Sequence, residues 1–150
     1  MTDPLCDLPS DLEGLSVRGD PACDRVLVTE AAAALIAALK LEHGALLFFQ
    51  SGGCCDGSAP MCYARGEFRI GARDVLLGWL EACPFFIGGA QFVAWKHTQL
   101  ILDVVKGRGA GFSIEAPRGV RFLTRSRVFD DAQRARLDAE PLHVGPLDAA

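Results

Sequence analysis

The chain has no excess of positive charge, no membrane-length apolar run and no Cys-x-x-Cys pair. Fifteen Lys and Arg against nineteen Asp and Glu leave a formal net charge of -4. Phosphate backbones are bound through a positive footprint, so this balance argues against a nucleic-acid binder. The arginines are spread out apart from a modest cluster at Arg118, Arg121, Arg125 and Arg127. No apolar stretch approaches the ~20 residues of a membrane-spanning helix. The segment Met1-Thr2-Asp3-Pro4-Leu5-Cys6-Asp7-Leu8 has neither the basic start nor the continuous apolar core of a secretory signal. A cytoplasmic, thiol-reducing setting with no membrane partner is therefore expected. Without paired Cys-x-x-Cys motifs the strongest sequence signature of a structural zinc site is missing. No Ser-His-Asp spacing, no pair of carboxylates in an apolar setting and no internal repeat is visible, so no catalytic residue is assigned.

Half of the 150 residues are hydrophobic, and sixteen are glycine. That length suffices for one domain with a proper core. The expected organisation is an N-terminal arm over 1–24, a single β-rich domain over 25–129 and a C-terminal helix and tail over 130–150. Thr29-Glu30-Ala31-Ala32-Ala33-Ala34-Leu35-Ile36-Ala37-Ala38-Leu39-Lys40-Leu41 predicts a helix. Thr29 is its cap, Glu30 complements the dipole, Ala32, Leu35, Ile36 and Leu39 form its apolar stripe, and Gly44 stops it.

Beyond the helix the texture is β. Ala45–Phe49 reads as a fully apolar strand, with further strands at 66–71, 74–80, 84–87, 92–105, 111–115 and 120–127. Glycine turns punctuate them. The fold class expected is mainly β (α+β), an antiparallel sandwich or barrel with one N-terminal helix. Asp130–Glu140 predicts a short polar helix. Exposed edge strands make a homodimer an expectation.

Chemistry concentrates in Gly52-Gly53-Cys54-Cys55-Asp56-Gly57-Ser58-Ala59-Pro60-Met61-Cys62. Adjacent Cα atoms lie ~3.8 Å apart, short of the roughly 4.4–6.8 Å of a relaxed disulfide, so Cys54 and Cys55 do not read as a bridge. Side chains of neighbouring extended residues point to opposite faces. Both thiols reach one ion only if the backbone turns between them, which the flanking glycines permit. Three thiolates suit zinc, iron, copper or an iron–sulfur cluster. The metal-site candidates are Cys54, Cys55 and Cys62, with His97 as a fourth donor placed on a strand beside Trp95, Gln99, Ile101 and Asp103. The bland alternative is one thiol packed as a small hydrophobe with the others idle. Asp56 before Gly57 reads first as a turn residue. Gly107-x-Gly109-x-Gly111 lacks a following helix, which removes the dinucleotide reading.

His43–Tyr63 and Trp95–Val105 closely resemble an uncharacterised bacterial family, the domain of unknown function 779, over roughly residues 25–129. Members of that family are linked by name to acetaldehyde dehydrogenase, because their genes lie beside aldehyde dehydrogenase genes. That resemblance implies an aldehyde dehydrogenase as partner. More distantly, Thr29-Glu30-Ala31-Ala32, Gly52-Gly53-Cys54, Asp103, Gly111-Phe112 and Ala116-Pro117 resemble the HesB-like, A-type iron–sulfur carrier fold. It implies a compact β fold with one N-terminal helix and a thiol at Cys54 able to hold iron or a cluster. Those carriers end in Cys-Gly-Cys, whereas this chain has no cysteine after Cys83. Three functions follow as expectations: a metal- or cluster-binding accessory protein, a thiol-dependent redox protein or enzyme with Cys54 or Cys55 as nucleophile, and a non-catalytic module that binds a dehydrogenase.

Overall fold

The structure, a computed structural model, describes residues 16–50, 60–107 and 113–147. Helix α1 (Glu30–His43) starts where Thr29 Oγ1 accepts the Ala32 N–H and ends where Gly44 takes a φ of 79°. Its Ala32, Ala33, Ile36 and Leu39 are buried. The capping chemistry read from the sequence is thus realised atom by atom.

Strands form two mixed sheets, a mainly β arrangement with three α-helices among the described residues. The first runs in the order β1 (Val17–Arg18), β2 (Val26–Thr29), β7 (Thr98–Lys106) and β8 (Val120–Val128). The second runs β4 (Met61–Ala64), β3 (Leu46–Gln50), β6 (Cys83–Ile87), β5 (Val75–Leu80) and β9 (His143–Val144). Most neighbours are antiparallel, but β2 pairs with β7 and β3 with β6 in parallel. α1 connects β2 of one sheet to β3 of the other. It packs its buried face into the same core as Leu100, Leu102 and Phe48.

The sheets meet through large side chains. Phe48 of β3 stands edge-on to Phe122 of β8 at 5.0 Å and stacks beside Phe85 of β6 at 5.9 Å. Such offset and edge-on pairs add to the burial of the rings themselves. The far face of the second sheet carries a smaller aromatic cluster, in which Phe68 lies 4.8 Å from Phe49 and 4.7 Å from Tyr63.

The segment 92–105 departs from the expected single strand. Helix α2 (Gly89–Trp95) occupies its first part, a turn at Lys96 and His97 follows, and only then does β7 begin. Phe92 and Trp95, three apart, form the buried face of that helix. The glycine-bounded stretch 66–71 makes turns rather than a strand, with Ile70 buried and Phe68 packed against the aromatic cluster. Strands β2 and β4 arise where no strand was expected. Helix α3 (Asp131–Ala139) forms as expected, its start fixed by a reciprocal bond pair between Asp130 and Gln133. No helix among the described residues is long and apolar enough to cross a membrane.

Candidate functional site

The cysteine-bearing loop is held by two stems. All five residues of β3 are buried, because neighbouring strands flank it and both faces are covered. Leu46 and Phe48 enter the main core, while Leu47 and Phe49 enter the aromatic cluster on the other face. Gln50 ends the strand on the inward side, 1% exposed, with its Oε1 accepting from Thr124 Oγ1 at 3.4 Å. Its carbonyl accepts the Gly88 N–H at 3.4 Å. A buried amide needs such partners, since each unpaired polar atom costs about 1–3 kcal/mol.

The second stem begins at Cys62. Its N–H donates to Ser113 Oγ at 2.9 Å, and its carbonyl accepts the Ile114 N–H at 3.0 Å. Ser113 in turn donates to Glu115, whose other oxygen accepts the Phe122 N–H at 3.1 Å. Glu115 is 1% exposed. One buried carboxylate thus joins the start of β4 to the start of β8.

Cys54 and Cys55 lie outside the described residues. Cys62 is fully buried in the main core. Burial, reinforced by the Glu115 carboxylate and by Cys83, pushes its thiol well above the ordinary cysteine range. Cys83 is equally buried, and burial raises its pKa too. Cys23 donates to Asp20 Oδ2 at 3.0 Å, and that bond is the main cause lifting its pKa to about 11. The three described cysteines are all free thiols. Thiolates, not thiols, are nucleophiles and ligands.

His97 sits in the turn between α2 and β7 rather than on a strand, which corrects the expected facing with Trp95. Its carbonyl accepts the Phe129 N–H at 2.9 Å. Half-buried, it borders a cavity of about 170 Å3 shared with Ala94, Trp95, Thr98 and Ser126. Ser126 and Thr124 are two apart on β8 and so share a face. His97 itself bonds to Phe129, five residues beyond Thr124, so at ~3.3 Å per residue its backbone lies roughly 16 Å along β8 from the residue that Gln50 touches. Among the described residues no group of three or more His, Cys, Asp or Glu side chains is placed to hold a metal ion.

Gln50, Ser113, Glu115 and Thr124 were not singled out in the sequence. The available signal was a polar residue closing an otherwise apolar strand, as Gln50 does after Phe49. The Ser113–Glu115 partnership crosses 51 residues to reach Cys62, and no local pattern announces it.

Two mixed sheets and a connecting helix define a small α+β domain. Residues 35–128 match the family described as a domain of unknown function, DUF779. The chain belongs to that family. No curated protein and no solved structure matches it.

Proposed function

We propose that this chain is a metal- or iron–sulfur-binding accessory protein of a reducing compartment, its thiol donors supplied by the Gly-Gly-Cys-Cys loop. The observation that supports the reading is that both ends of the Cys54–Cys55 segment are fixed, at Gln50 by Thr124 and Gly88 and at Cys62 by Ser113 and Ile114. A ligand loop gains precision when rigid strands hold its ends. Cys54 and Cys55 are the outer thiol donors and His97 the nitrogen donor. Cys62 joins them only by losing its proton in apolar surroundings beside Glu115, a cost that a bound cation must offset.

Zinc, iron and copper all accept such a sulfur and nitrogen set. The HesB-like motif order is what brings an iron–sulfur cluster into the range of cargoes. An aldehyde dehydrogenase is the proposed partner, on the ground of the family resemblance.

Cobalt(II) titration under anaerobic conditions tests the donor set, because thiolate–cobalt bonds give an intense charge-transfer absorption. A band that halves in Cys54→Ser or Cys55→Ser and changes shape in His97→Ala supports the proposed set. An unchanged band in all three variants refutes it. Cys62→Ser, run alongside, decides whether the inner thiol belongs.

A further inference from the structure

We infer that the outer face of α1 is a self-association surface, on which a second copy of this chain packs its own α1 antiparallel about a two-fold axis. Residues 31–39 of the helix are nine consecutive apolar residues, so over that stretch it is hydrophobic around its whole circumference. A helix of that kind is ordinarily covered on every side, whereas one packed on a single side turns charged residues to solvent. Here the core of the chain takes only one side, through Ala32, Ala33, Ile36 and Leu39. Ala31, Ala34 and Ala37 are exposed, and Leu41 is 90% exposed, more than any other large hydrophobic residue among those described. A lone exposed leucine needs no explanation, but a continuous apolar face does.

The layout of that face selects the occupant. Glu30, Ala34, Ala37 and Leu41 follow at spacings of four, three and four, the seam by which two helices interlock. The spacing reads the same in both directions, which suits a two-fold contact of one surface with itself. In an antiparallel pair centred between Leu35 and Ile36, Ala34 lies opposite the second copy's Ala37. Each Leu41 then fills the groove over the other helix's Ala31 and Ala34, and the alanines let the axes approach to about 8 Å. Charge agrees with this direction. The helix begins at acidic Glu30 and ends at basic Lys40 and His43, so antiparallel packing sets each Glu30 beside the other copy's Lys40 and opposes the two helix dipoles. A parallel pair would stack Glu30 on Glu30. Glu42, the other acid at the far end, is already held by Arg118 at 2.6 Å. One pair of 14-residue helices covers less than the roughly 1,200 Å2 of a standard interface, so the dimer is weak and reversible, of sub-millimolar affinity.

Sedimentation equilibrium of the full chain tests this, run from micromolar to millimolar concentration in reducing buffer that removes thiol-linked dimers. The expected result is a monomer–dimer equilibrium. Leu41→Glu, which sets a carboxylate against the second copy's Glu30, should raise the dissociation constant about tenfold or more with the monomer's circular dichroism unchanged. The direction is read separately: Ala34→Cys and Ala37→Cys proteins are mixed, oxidised mildly and mapped by peptide mass spectrometry. Links between positions 34 and 37, formed in the mixture and exceeding any link between like positions, support the antiparallel seam. A chain that stays monomeric at millimolar concentration, a dimer indifferent to Leu41→Glu, or links chiefly between like positions would overturn the inference.

Discussion

The N–H of Cys62 is fixed by Ser113 Oγ at 2.9 Å, tying the strand after the cysteine loop to the turn before β8. The hydroxyl that receives this bond donates its own hydrogen bond to Glu115, whose other oxygen accepts from the Phe122 N–H. A chain of three buried bonds thus sets where the loop ends. The metal reading depends on such stems staying put while ligands come and go.

Removing that relay has a calculable cost. Ser113→Ala leaves the Cys62 N–H and one Glu115 oxygen without their partner, and each buried orphan costs about 1–3 kcal/mol. Urea denaturation should show a loss of at least about 1 kcal/mol relative to the parent, with an unchanged slope. A difference below ~0.5 kcal/mol, the ordinary range of surface changes, would show that the relay is replaced by water.

Thiol reactivity should divide the cysteines sharply. Cys62 and Cys83 are sealed with raised pKa values, and Cys23 is held at about 11. At pH 8 a thiol of pKa 11 is only about one-thousandth thiolate. Alkylation of native protein followed by peptide mass mapping should therefore leave 62 and 83 unmodified and 23 slow. Fast label is expected at positions 54 and 55 in metal-free protein, and metal should suppress it. Rapid modification of Cys62 would contradict its burial in the core.

Stability should fall in alkali, and the sign is fixed. Burial raises the folded-state pKa of Cys62 above its ordinary 9.0, so the folded protein binds that proton more tightly than the unfolded chain. The stability linked to it is fully present below about pH 9 and is lost as pH rises toward the folded value. Between those limits the slope is about 1.4 kcal/mol per pH unit for one thiol. Cys62→Ala should flatten the curve above pH 9 while lowering stability at pH 7. A parent protein with constant stability from pH 7 to about 10 would contradict this linkage.

The turn between β5 and β6 contains correctable strain. Glu81 and Ala82 have φ values of 50° and 65°, the left-handed region that L residues avoid. Two such residues in a two-residue hairpin turn call for Asn-Gly. Arg18 pairs with the Glu81 carboxylate, and Lys40 Nζ donates to its carbonyl at 2.9 Å, holding the turn in place. Ala82→Gly should raise stability by about 0.5–1 kcal/mol, measured as an increase in thermal midpoint. Glu81→Asn should gain less, because it gives up the Arg18 contact.

What the chain shows of itself depends on range. Helix α1 was legible because its cap, stripe and stop sit within sixteen consecutive residues, from Thr29 to Gly44. The strand β3 was legible because five apolar residues in a row, Ala45–Phe49, read as a buried strand, and the structure places it one residue later, at Leu46–Gln50. Helix α2 was not, since Phe92, Val93, Ala94 and Trp95 carry strong β formers, and tertiary burial of Phe92 and Trp95 overrode that preference. The parallel pairings of β2 with β7 and β3 with β6 join segments separated by many tens of residues, and no local signal specifies them. At the site, Cys54 and Cys55 lie outside the described residues, while the depth of Cys62 and the Ser113–Glu115 relay exist only after folding.

The most direct test of the metal reading is the metal content of protein purified anaerobically without chelators or affinity metals. Mass-spectrometric analysis should find close to one equivalent of zinc, iron or copper per chain, or iron with matching acid-labile sulfide, and near zero in Cys54→Ser/Cys55→Ser. Protein that is folded and metal-free under those conditions, and stays so after incubation with each metal, would contradict it.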